Sequence, residues 1–113
     1  ISWLAACTVP TQSETVAAPA STPLQVFKPR GSLQCEGRGT APELMRAELE
    51  RAGVRVLSAQ CGSDGRMVPA VCGGATGEIN LFEIDAEDAE RARALGFAPL
   101  SELRGEARVV PCR

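Results

Sequence analysis

Histidine and tyrosine are absent from the 113 residues, and the other aromatics amount to one Trp and three Phe. Without histidine the chain has no imidazole general base, no Ser-His or Cys-His dyad, and none of the commonest zinc ligands. A Ser-Lys pair would have to draw the single lysine, Lys28, out of a proline-rich stretch. Few aromatic faces remain on which nucleic-acid bases can stack. The 14 acidic residues outnumber 12 basic ones, for a formal net charge of -2, and the arginines alternate with acids instead of forming a positive stripe. A nucleic-acid partner is therefore not expected. No apolar run approaches the roughly 20 residues that span a bilayer as a helix.

What is present begins with Leu4-Ala5-Ala6-Cys7, small side chains between a leucine and a cysteine. These residues resemble the lipobox of bacterial lipoproteins. The resemblance implies that residues 1–6 are the remnant of a signal peptide and that the Cys7 sulfur carries the lipid. Two or more acyl chains anchor stably where one is marginal. Thr8 stands where an aspartate would favour the inner membrane, so the same resemblance implies an outer-membrane lipoprotein facing the periplasm. Its first partner is then the membrane itself, with an envelope protein or the cell wall as a second.

Residues 7–32 read as a flexible tether, rich in Ser, Thr and Ala and interrupted by Pro10, Pro19, Pro23 and Pro29. Leu24, Val26 and Phe27 are the exception, apolar enough to dock as a short edge strand. The folded domain is expected over residues 33–113. At about 80 residues such a domain buries only about 60% of its unfolded surface, and staples are the usual remedy. With Cys7 set aside for lipid, Cys35, Cys61, Cys72 and Cys112 form an even set that an oxidising compartment would pair into two disulfides. Their wide spacing lacks any Cys-x-x-Cys, which argues against zinc and against thioredoxin-type chemistry; neither a metal nor a cofactor is expected.

Thr40-Ala41-Pro42-Glu43 has the pattern of a capping box, with Thr40 as N-cap, and Gly53-Val54 that of a Schellman ending, so a helix is expected between them. A strand follows over Val54–Cys61, then a turn at Ser63-Asp64-Gly65 and a second, edge strand over Met67–Cys72. Glu78–Ile84 is the clearest strand. Asp85 and Asp88 mark the start of a second helix, with a Glu87–Arg91 pair on its surface, and Gly96-Phe97 repeats the Gly53-Val54 ending. Pro99–Leu103 suggests a helical turn and Arg108–Cys112 a last strand. If Asp64-Gly65 centres a hairpin, Cys61 and Cys72 sit at different levels of the ladder. Three pairings are open, and this register favours Cys35–Cys61 with Cys72–Cys112.

The expected fold is α+β, a two-layer sandwich of two helices on a small, mainly antiparallel sheet stapled by two disulfides. The element order resembles the ferredoxin-like layout of peptidoglycan-binding sporulation-related domains. One loop has the form of an anion site: Gly37, Gly39 and Thr40 lead into a helix N-terminus, where free amides can hold an anion. With no catalytic constellation, the expected role is a lipid-anchored, non-enzymatic binding or accessory module of the cell envelope. A thiol-disulfide or other small periplasmic enzyme is one alternative, and it requires a reactive thiol or a labile bond. A peptidoglycan or glycan binder is the other.

Overall fold

The computed structural model describes residues 22–112. Cys7 and the lipid attachment expected on it lie outside them. The chain is α+β, with strands β1 (Pro23–Pro29), β2 (Val56–Ser63), β3 (Glu78–Asp85), β4 (Ala98–Pro99) and β5 (Arg108–Val110), and helices α1 (Pro42–Arg51) and α2 (Ala89–Ala94). The strands form one antiparallel sheet of order β4-β1-β3-β2-β5. The path β1-α1-β2-β3-α2-β4, with β3 inserted between β1 and β2, is the split βαβ connectivity of ferredoxin-like folds. β5 adds an outer strand beside β2.

The first strand corrects the expected tether boundary. Pro23–Pro29 pairs along its whole length with β3, from Pro23 opposite Asp85 to Pro29 opposite Ile79. It is a second strand rather than an edge, because β4 pairs with it at Val26 and Phe27. The prolines bracket the strand, where a missing N–H is tolerated. Leu24 and Val26 alternate into the core, and Val26 is almost fully buried.

One core cluster joins Val26, Val56, Phe82 and Ile84 of the sheet to Met45 and Leu49 of α1 and Ala92 of α2. Leu49 is wholly buried while Leu44 is 62% exposed, so α1 has one apolar stripe. Phe97 meets Phe82 edge-on with centroids 5.5 Å apart. Lys28 reaches into the same region. Its ammonium donates to the Leu95 carbonyl at the end of α2 at 3.0 Å and lies 5.0 Å from the Phe97 centroid.

Both helix endings form as the sequence indicates. The Val54 amide donates to Leu49 and that of Gly53 to Glu50, and the Phe97 and Gly96 amides repeat the pattern with Ala92 and Arg93. The helix starts differ from expectation. Ala41, not Thr40, is the N-cap of α1, and its methyl side chain makes no cap bond; the Thr40 amide, which a capping box would give to Glu43, donates to the Arg30 carbonyl at 2.9 Å. Asp85 makes no cap bond either, and the second helix opens as a 3₁₀ turn over Ala86–Asp88. Arg91 pairs with Asp88 at 3.0 Å rather than with Glu87.

The expected strand Met67–Cys72 does not form. β2 pairs directly with β3, Ser63 opposite Glu78, and residues 64–77 make a loop between them. The Asp64-Gly65 turn is present, since the Arg66 amide donates to Asp64 Oδ1 at 2.9 Å, but the chain that follows leaves the sheet. It is drawn instead toward residues 31–37.

Candidate functional site

All four domain cysteines are paired, Cys35 with Cys72 and Cys61 with Cys112. The favoured pairing is thus overturned along with the hairpin on which it stood. Because residues 67–72 leave the sheet, Cys72 is carried to the loop that holds Cys35. Cys61 lies on β2 opposite Val110 of β5, and the chain reaches Cys112 two residues later.

Gln34, which no sequence pattern singled out, organises the first junction. Its carboxamide nitrogen donates to the carbonyls of Pro69 at 2.8 Å and Ala75 at 2.9 Å, and its oxygen accepts the Val71 amide at 2.9 Å. Its own backbone amide and carbonyl bond to Gly74 and Gly73. A strand-like set of bonds is thereby made by one residue. Only the tertiary path reveals it.

Beside this junction, where β1 ends and β3 begins, lies a cleft of about 420 Å³. Phe27, Pro29, Leu33, Ile79 and Leu103 supply apolar lining, and Arg66 and Arg104 contribute cationic groups. A second cavity of about 370 Å³ adjoins it through shared Thr76 and Glu78, with Val110 and Pro111 of the C-terminal segment as wall. Two loops shape the first cleft by close backbone approach. The Glu106 amide donates to the Asp64 carbonyl at 2.9 Å, and a Cβ on Gly65 or Gly105 would fall 2.3 or 2.4 Å from the facing backbone oxygen. Both glycines have positive φ.

The polar groups of the cleft are mostly engaged. Ser32 donates to Glu78 Oε1 at 2.6 Å and lies 2.6 Å from the Thr76 hydroxyl; at 5% exposure Ser32 does not present a nucleophile. Glu102 is bound by Arg93, whose guanidinium holds the carboxyl below the usual carboxylate range through a hydrogen bond and its charge. Among the described residues no ion pair engages Arg66 or Arg104.

Of the loop expected to hold an anion, Gly37, Gly39 and Thr40, two backbone groups have partners within the fold. The Thr40 amide is taken by Arg30, and the Gly37 carbonyl accepts the Leu33 amide at 3.2 Å. Gly39 has φ +74°, and a Cβ there would lie 2.3 Å from the Arg30 carbonyl oxygen, so its glycine serves a close backbone crossing. Among the described residues no group of three or more His, Cys, Asp or Glu is arranged to hold a metal, and no helix is long and apolar enough to cross a membrane. No protein-family model, curated protein or solved structure shows significant similarity to the chain.

Proposed function

We propose that the protein is a lipid-anchored component of the cell envelope whose described part is a non-enzymatic binding or accessory module, and that the cleft at the β1–β3 end is its binding site. The observation that carries this reading is directional. The chain enters β1 at Pro23, opposite Asp85, whereas the cleft opens past Pro29 at the other end of the strand. Seven strand residues separate the two by about 20 Å. A domain held from Cys7 would therefore offer the cleft on the side away from its anchor. The architecture fits a two-layer sandwich, since Met45, Leu49 and Ala92 join one cluster with sheet residues.

The lining suits a ligand with an apolar body and an anionic end, because its acids already have partners: Asp64 accepts the Arg66 amide, Glu78 accepts Ser32 and Glu102 is bound by Arg93. Phe27, Ile79 and Leu103 would cover the body, and Arg66 and Arg104, which no ion pair engages among the described residues, would meet the charge. Dodecanoate is a suitable probe. Titration into the full chain should shift the amide signals of Ile79 and Leu103, and Leu103→Glu should weaken binding at least tenfold. Absence of shifts in the cleft would contradict the reading.

The ferredoxin-like connectivity favours a second reading, a peptidoglycan or glycan binder, although a shared fold does not transfer function. Retention on purified sacculi in moderate salt, undiminished by Leu103→Glu, would support it over the first.

A further inference from the structure

Arg30 follows β1 and is only 7% exposed. Its Nη1 donates to Cys61 Sγ at 3.4 Å, and its Nε is buried with no partner among the described residues. Nor does any carboxylate among them form an ion pair with it. A guanidinium removed from water needs a counter-charge, and a disulfide sulfur is a weak, neutral acceptor. Cleavage of the bond would turn that sulfur into an anion in contact with the cation. The two sulfurs are also unequally placed: Cys61 is 2% exposed, whereas Cys112 is exposed.

We propose that Cys61–Cys112 is a thiol-exchange site, a redox switch on β5 in which Arg30 holds the Cys61 sulfur as the leaving thiolate. The co-reactant is a thiol, either a small molecule or a protein dithiol. Its thiolate attacks Cys112 Sγ, the S–S electron pair leaves with Cys61 Sγ, and a mixed disulfide remains on Cys112. A second thiolate then displaces Cys112. Two thiols become one disulfide, and the protein bond gains two electrons. Of the two protons released by the thiols, one goes to the Cys112 sulfur and the other to solvent. A stabilised leaving thiolate favours the reduced form, as it does at reactive cysteines generally.

The bond controls a weakly held element. β5 pairs with β2 at Cys61, Gly62 and Ser63, and its Val110, with Pro111, walls the second cavity. Opening the bond would loosen that wall. Cys35–Cys72 has no guanidinium hydrogen-bonded to its sulfurs among the described residues and is braced by the Gln34 bonds. Both its cysteines are exposed, so its resistance to thiols rests on those bonds and on the absence, among the described residues, of a hydrogen-bonded cation to hold a leaving thiolate. This inference goes beyond the proposed binding role and stands without it.

The test equilibrates the full chain in glutathione buffers of rising reducing strength, quenches with acid, alkylates, and reads each cysteine by peptide mass. Cys61–Cys112 should be half reduced under conditions about tenfold more oxidising than Cys35–Cys72, about 30 mV for this two-electron couple. The first glutathione adducts should fall on Cys112. Arg30→Met should shift the Cys61–Cys112 midpoint about tenfold toward more reducing conditions. Opening of Cys35–Cys72 first or simultaneously, adducts mainly on Cys61, or an unchanged midpoint in Arg30→Met would each overturn the proposal. If Arg30→Met does not fold, the bond order and adduct position in the unaltered chain decide.

Discussion

Gln34 accepts the Val71 amide at 2.9 Å through the same carboxamide whose nitrogen donates to two further carbonyls of the 64–77 loop. Three side-chain bonds and the Cys35–Cys72 disulfide therefore fasten that loop to the segment after β1. Gln34→Ala should cost about 1–2 kcal/mol in a urea melt, with partial compensation by water at this half-exposed site. Hydrogen exchange at the Val71 amide should accelerate at the same time. Unchanged exchange there would show that the disulfide and the backbone bonds of Gln34 hold the loop without its carboxamide.

A second prediction separates the core from the surface of α1. Leu49 is wholly buried and Leu44 is 62% exposed. Leu49→Ala should destabilise by about 3 kcal/mol, whereas Leu44→Ala should stay within about 0.5 kcal/mol. Equal losses would contradict the assignment of the apolar stripe.

The loop Gly37–Thr40 yields a stability prediction. Gly39→Ala introduces a Cβ 2.3 Å from the Arg30 carbonyl oxygen at a φ of +74°, while a Cβ on Gly37 meets nothing within 4 Å. Gly39→Ala should cost more than about 1 kcal/mol, and Gly37→Ala should be nearly neutral. Phosphate should shift no amide signal in either glycine.

Legibility followed the range of the forces involved. Gly53 and Gly96 were readable as helix ends because a positive φ is a local demand that the residue itself must meet. Glu78 to Ile84 read as a strand because Ile79, Leu81, Phe82 and Ile84 crowd into seven residues between a glycine turn and Asp85. The α+β class followed from such local signals. The pairing of cysteines was not readable, since it depended on whether residues 67–72 stayed in the sheet, and that was decided by distant Gln34. The Thr40 capping box failed for a similar reason: a long-range bond to Arg30 claimed the Thr40 amide. Leu24, Val26 and Phe27 suggested a short edge strand, but the prolines hid the full length and inner position of β1, because composition does not distinguish a strand bracketed by prolines from a stretch broken by them. The cleft drew residues from segments far apart in sequence, and no motif linked them.

A fourth prediction concerns Glu102 at the cleft. The Arg93 guanidinium lowers its pKa in the folded state. The contribution of the pair is therefore present above the ordinary carboxylate pKa of about 4.3 and is lost as pH falls through the depressed folded value. A carbon-13 titration of the folded chain should place Glu102 below that ordinary value, and Arg93→Gln should return it there. A midpoint unmoved by Arg93→Gln would assign the shift to another cause.

The proposal that this disulfide-stapled domain is lipid-anchored is tested most directly by intact mass. The chain is expressed behind a complete signal sequence, extracted from membranes, and weighed before and after reduction with thiol alkylation. The account predicts a lipid adduct on Cys7 and four cysteines that alkylate only after reduction, with peptides linking Cys35 to Cys72 and Cys61 to Cys112. An unlipidated chain with free thiols would contradict it, and the envelope reading would go with it.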